Sequence, residues 1–147
     1  MIKEFVNLYN NLVNLSRNKN LFHFFTDKDT FSDRLLILLF HFAFFLRQHK
    51  GKTDKEYLQR FFDYFFRQIE LSIREIGYGD ASINKKMKDY INVFFSILDK
   101  ISDWNNFDDD KKADILAFYY KPKDNHEKIV NYFNDYEIYL SKTPLKS

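Results

Sequence analysis

Apolar residues recur along this chain at spacings of three and four, and nowhere alternate long enough to make a strand, which predicts an all-helical protein. In the first segment Ile2, Phe5, Tyr9, Leu12 and Val13 share one face, and the polar run at 16–20 ends it. A loop containing LFHFF and TDKD is expected next. Thr30 then offers an N-cap oxygen and Asp33 a carboxylate in the first turn, where the helix dipole favours negative charge. The helix they open is apolar on nearly every side up to Leu46, so it is expected in the middle of the bundle. Cationic residues in its last turn and Gly51 close it.

Thr53 and Glu56 have the spacing of a capping box and start a third helix. Its predicted inward stripe is Leu58, Phe62, Phe65, Ile69, Ile73 and Ile76. The opposite stripe holds Arg60, Asp63, Arg67, Glu70 and Arg74, with Asp63–Arg67 and Glu70–Arg74 as acid-first pairs worth roughly 0.2–0.5 kcal/mol each. A fourth helix over about 82–101 turns Ile83, Met87, Tyr90, Ile91, Phe94, Leu98 and Ile101 inward. The polar loop SDWNNFDDD leads to a short helix over 109–120 that stops before Pro122. Asp124 to Glu127 opens a last helix with Ile129, Phe133, Tyr136 and Leu140 inside, and the tail from Ser141 is expected to fray. The pattern predicts one compact all-α bundle of about five to six helices around a central apolar helix, with residues 1–147 as a single domain.

Composition narrows the function classes. The 23 Lys and Arg against 21 Asp and Glu leave a formal charge of +2, which argues against DNA or other nucleic-acid binding through bulk positive potential. The absence of cysteine removes disulfides and thiolate metal sites. The greasiest run, residues 35–46, would rise about 18 Å, short of a hydrocarbon core of roughly 30 Å. The N-terminal segment lacks the apolar centre of a signal peptide and reads as mature protein, so a cytoplasmic location is expected. Phe, Ile, Lys, Asn and Tyr supply 70 of the 147 residues, all from AT-rich codons, so the phenylalanines are expected to fill core positions rather than stack on bases.

Candidate chemistry is sparse. No two of His23, His41, His49 and His126 stand three or four apart, and no H-E-x-x-H pattern occurs, so no metal site is assigned. His41, inside the apolar helix, reads as a buried hydrogen-bonded histidine or, alternatively, as a partner contact. The run Asp108 to Asp110 lacks the ligand spacing of a calcium loop and is read as a helix start. No nucleophile with its base, and no phosphate-cradling glycine loop, is evident, which predicts no enzyme and no cofactor. A small helical enzyme built around His41 is the weakest alternative.

Two of the three glycines, Gly77 and Gly79, sit one residue apart between the third and fourth helices. Gly77 fits a left-handed C-cap; Gly79 would allow a second reversal, after which Asp80 or Ser82 caps the next helix. Around this corner gather Arg74, Glu75, Asp80, Lys85, Lys86 and Lys88. The three lysines form a local basic patch, which makes a peripheral membrane, ribosome or RNA-contacting adaptor the alternative function.

The stretch FFDYFFRQIELSIREIGYGDASINKKMKDYINVFF resembles the signature of the ubiquinol-cytochrome c chaperone family, with Arg74, Glu75, Gly77, Gly79, Asp80, Lys85 and Lys88 on matching positions. The upstream RLLILLFHFAFFLR is similar to that family's apolar helix, and His41 falls on its histidine. The resemblance covers roughly residues 30–100. Ile73 and Ile76 replace Leu and Met, Tyr78 replaces Val, and residues 94–97 lack the family's Gly-Arg. It implies a non-enzymatic, bacterial-type assembly factor for the cytochrome bc1 complex, acting on newly made cytochrome b. Mitochondrial members of that family act with a small helical helper protein near the ribosome, which makes the ribosome or such a helper a further candidate partner, while the basic patch suggests peripheral contact with the inner membrane. The corner residues and His41 would be the partner-binding set, with the corner as the polar rim of an aromatic groove between helices.

Overall fold

The computed structural model describes residues 2–25, 30–120 and 126–145, and among them every regular element is helical. The order is α1 (Ile2–Ser16), α2 (Lys19–Phe25), α3 (Phe31–His49), α4 (Lys55–Ile76), α5 (Asp80–Lys100), a 3-10 turn (Trp104–Asn106), α6 (Asp109–Tyr119) and α7 (His126–Ser141). The six expected helices are present. One element was not expected: LFHFF is not a loop but lies in α2, where Leu21 is buried and the helix packs on α3 and α7. The onset at Asp124 and Asn125, and the stop at Pro122, lie outside the described residues.

Local chemistry sets most boundaries. Thr30 Oγ1 accepts from the Asp33 amide at 3.1 Å and donates to the Asp33 carboxylate at 2.7 Å, closing the first turn of α3. The capping box is displaced by one residue, since Asp54 rather than Thr53 caps α4. Asp108 accepts from the Lys111 amide at 2.8 Å and starts α6, with Asp109 and Asp110 in the first turn. Gly51 does take a positive φ of 85°, just past the end of α3.

The helix α3 buries residues around its whole circumference, and it packs against α1, α2, α5 and α7. Phe42 is fully buried, stacked on Phe65 of α4 at 3.9 Å and on Phe94 of α5 at 5.1 Å between ring centroids. On the opposite side Phe44 stacks on Phe133 of α7 at 4.7 Å and meets Trp104 edge-on at 5.0 Å. Most of the described phenylalanines are thus core residues, as composition suggests, while Phe95 and Phe118 are exposed.

The buried stripe of α4 is rotated from the expected one. Tyr57, Phe61, Phe65, Phe66, Ile69 and Ile73 are inside, Leu58 and Phe62 are half-buried, and Ile76 is exposed. Aromatic width explains this, because Tyr57 and Phe61 both reach Phe5 of α1, at 5.3 and 5.4 Å. In α1 itself Ile2 is exposed, and in α5 Ile97 joins Ile83 and Phe94 inside. The outer ion pairs differ too. Arg67 pairs with Glu70 rather than Asp63, which instead accepts from Gln59 at 3.1 Å. Glu56 and Arg60 add a pair at 2.7 Å.

Phe42→Ala should destabilise the fold by about 3–5 kcal/mol, because it empties a site bounded by three helices. Phe95→Ala, at a position 50% exposed, should cost under about 1 kcal/mol. Urea unfolding of both variants measures the contrast.

Candidate functional site

The α4–α5 corner is built by one backbone reversal, not two. Gly77 has φ 106°, a left-handed conformation that a side chain would strain, and its amide bonds back to the Arg74 carbonyl at 3.0 Å. Gly79 is extended, with φ −76° and ψ 162°, as any residue can be, and a Cβ there would meet nothing within 4 Å. It is itself the N-cap of α5 and supplies no side-chain acceptor. Neither Asp80 nor Ser82 caps the helix, since Asp80 is already its first residue and its carboxylate is used elsewhere.

That use is a clasp across the turn: Arg74 Nη1 donates to Asp80 Oδ1 at 2.8 Å, while Arg74 Nε lies 3.8 Å from Glu70. Lys86 sits 4.5 Å over the Tyr78 ring centroid. Glu75, Lys85 and Lys88 are exposed and make no ion pair with any described residue. Beside them Ile76 and Tyr78, flanking Gly77, are 52% and 44% exposed. The structure therefore brings seven of the eight sequence-predicted residues to one corner. It divides them into a clasped pair (Arg74, Asp80), a turn (Gly77, Gly79) and three free charges. The exposed apolar pair Ile76 and Tyr78 was not singled out from sequence, where Ile76 reads as a core residue.

His41 does not belong to this group. It is fully buried on α3 beneath Tyr132, Phe133 and Tyr136 of α7. Its Nδ1–H donates to the Ile37 carbonyl at 2.8 Å, since a carbonyl only accepts, and Nε2 accepts from the Tyr132 hydroxyl at 2.6 Å. Burial lowers its pKa from 6.5 to about 4, with the Ile37 bond opposing the shift, so the ring is neutral. Burial likewise pushes the Tyr132 hydroxyl well up, keeping it a donor.

A second polar cluster ties α3 to α7 further along. Arg47 reaches the buried Glu137 carboxylate at 2.5 Å and the Ser102 carbonyl at 3.3 Å. Burial raises the Glu137 carboxyl above the usual range, and Arg47 works against that rise. Asn134 Oδ1 accepts from Trp104 Nε1 at 3.0 Å and from Lys112 Nζ at 2.9 Å. An open cleft of about 610 Å³ runs beside Arg47, Lys52 and Glu137; it is polar, and is not an aromatic groove rimmed by the corner. No group of three or more metal-ligating side chains occurs among the described residues, and no helix among them is long and apolar enough to cross a membrane.

Gly77→Ala should destabilise the fold by about 1–2 kcal/mol through left-handed strain, while Gly79→Ser should stabilise it by about 0.5 kcal/mol by supplying the missing cap oxygen. Urea unfolding distinguishes them. The His41 shift fixes a pH dependence as well. Its folded pKa lies below the unfolded value, so the stability it contributes is complete above about 6.5 and is lost as pH falls towards 4. The unfolding free energy should drop by about 3 kcal/mol more between pH 7 and pH 4 in the wild type than in His41→Gln.

No curated protein and no solved structure matches the chain. A family model described as Ubiquinol-cytochrome C chaperone matches residues 24–143. The match runs from the end of α2 through α7, well past the signature at 30–100, and leaves α1 outside. It includes the corner, His41 and the α3–α7 ties, and by that extent the chain belongs to the ubiquinol-cytochrome c chaperone family.

Proposed function

We propose that this protein is a non-enzymatic chaperone that holds newly made cytochrome b during assembly of the cytochrome bc1 complex, with the α4–α5 corner as its partner-facing surface. The observation that carries the reading is the family match over residues 24–143. A client made mostly of transmembrane helices presents apolar surface that ends in charged loops. The corner offers both kinds of contact, since Ile76 and Tyr78 are exposed beside the unpaired Glu75, Lys85 and Lys88. Arg74 and Asp80 spend their charge on each other, and Gly77 fixes the turn, so these three act by holding the corner's shape. His41, being buried, acts through the α3–α7 seam rather than by contact.

The competing reading, a membrane or RNA contact through Lys85, Lys86 and Lys88, predicts binding that weakens steeply with salt, whereas apolar capture tolerates it. Deleting the gene should remove the bc1 complex and spare other respiratory complexes. Lys85→Glu with Lys88→Glu should fail to restore it at normal protein levels, and Gly79→Ser should restore it in full. An intact bc1 complex in the deletion strain overturns the function; full rescue by the double charge reversal overturns the site.

A further inference from the structure

The polar cleft beside Arg47 lies at the opposite end of the α4–α5 hairpin from the corner, since α4 rises about 33 Å between its two ends. The end of α3, the turn after it, the 3-10 turn and α7 form its walls. Two of its side chains are anchored by partners that use only part of them. Asn134 spends its Oδ1 on Trp104 and Lys112, and its Nδ2 group, with two N–H donors, makes no hydrogen bond with any described residue. Arg47 gives Nη1 to Glu137 and Nε to the Ser102 carbonyl, so its guanidinium is fixed while Nη2 bonds to no described residue. One half-buried donor from α3 and one from α7 are thus held at the same cleft without an acceptor.

The charge has the same sense. Arg47, Lys50 and Lys52 line the cleft against one acid, Glu137. Arg47 and Glu137 cancel each other, which leaves the charges of Lys50 and Lys52 in excess. Lys50 makes no ion pair with any described residue, and Lys52 is steadied at 2.8 Å by the neutral Gln48 side-chain oxygen, with that amide oriented to suit its partners. A ligand group that only accepts hydrogen bonds and carries about two negative charges answers both the orphan donors and the excess. A phosphate monoester is such a group, with a charge of about −1.5 to −2 at pH 7 and three acceptor oxygens. Its tetrahedral oxygens can take donors from α3, α7 and the turn after α3 together, whereas a carboxylate is planar and carries half the charge.

We propose that this cleft binds a small organic phosphate monoester, with Arg47, Asn134, Lys50 and Lys52 holding the phosphate. The organic part faces Asn105 and Ser141, whose hydroxyl donates to the Ile138 carbonyl and so keeps its oxygen free to accept from a ligand hydroxyl. The volume of about 610 Å³ is ordinary for a small-molecule site. None of these residues belongs to the α4–α5 corner, so the site stands or falls independently of the assembly function proposed above.

Isothermal titration calorimetry of the full chain with glycerol 3-phosphate should show saturable binding with a Kd below about 1 mM. Glycerol and succinate should each bind at least tenfold more weakly. Asn134→Asp keeps an oxygen for Trp104 and Lys112 but replaces the donor with a second acidic oxygen, so it should abolish binding with the circular dichroism spectrum unchanged. Lys50→Gln with Lys52→Gln should weaken binding at least tenfold, and Lys50→Arg with Lys52→Arg should retain it. Dihexanoyl phosphatidic acid presents the same phosphate on an acylated glycerol; tighter binding of it assigns a lipid headgroup, and tighter binding of glycerol 3-phosphate assigns a soluble ester. No binding of either ester up to about 10 mM overturns the proposal. So does succinate binding as tightly as glycerol 3-phosphate, or binding that survives Asn134→Asp. If Asn134→Asp unfolds, the lysine pair decides, and undiminished binding by Lys50→Gln with Lys52→Gln overturns the site.

Discussion

Phe42 is held between Phe65 and Phe94, ring against ring, with no exposure to water. One side chain thereby joins three helices, and the orientation of the α4–α5 hairpin follows from it. The corner at Gly77 lies at the far end of that hairpin, so its position relative to the bundle is inherited from the stack. A helix apolar on all sides leaves the chain little choice, because every face of α3 must find cover, and α1, α2, α5 and α7 supply it.

Burying such a helix makes its polar atoms costly, and two of its side chains are met by residues far away in sequence, while the buried His49 Nε2 finds no hydrogen-bond partner among the described residues. His41 is neutral and bonded to Tyr132, 91 residues on; Arg47 meets Glu137, 90 residues on. These bonds add little net energy over an apolar pair of the same shape, but they are expensive to leave unmade. Only one sliding position of α7 along α3 satisfies both. They work as register marks for a seam that apolar packing alone would define loosely, and Asn134, shared by Trp104 and Lys112, extends the same logic to α6.

The surface divides charges that look alike in sequence. Within fifteen residues, Arg74 and Asp80 neutralise each other across the turn while Glu75, Lys85 and Lys88 face solvent alone. A clasped pair holds shape; a free charge can change partners. On the proposed reading the first group preserves the corner and the second meets the client.

Periodicity and capping chemistry sufficed for the all-α class and most helix boundaries, because both act over a few residues: Thr30, Asp108 and Gly77 do in the structure what their types and neighbours require. The glycine and charge spacing also marked the corner and carried the family resemblance. What only tertiary structure decided were choices between partners at a distance. LFHFF became a helix because α3 and α7 cover it, and the buried stripe of α4 rotated because Tyr57 and Phe61 reach Phe5. Trp104, in a loop that reads as polar, went to the core because Asn134 could take its N–H. Of the two readings of His41, the buried hydrogen-bonded one holds, but its partner Tyr132 was not legible: a side chain's type says which bonds it needs, and only the packed fold says which group supplies them.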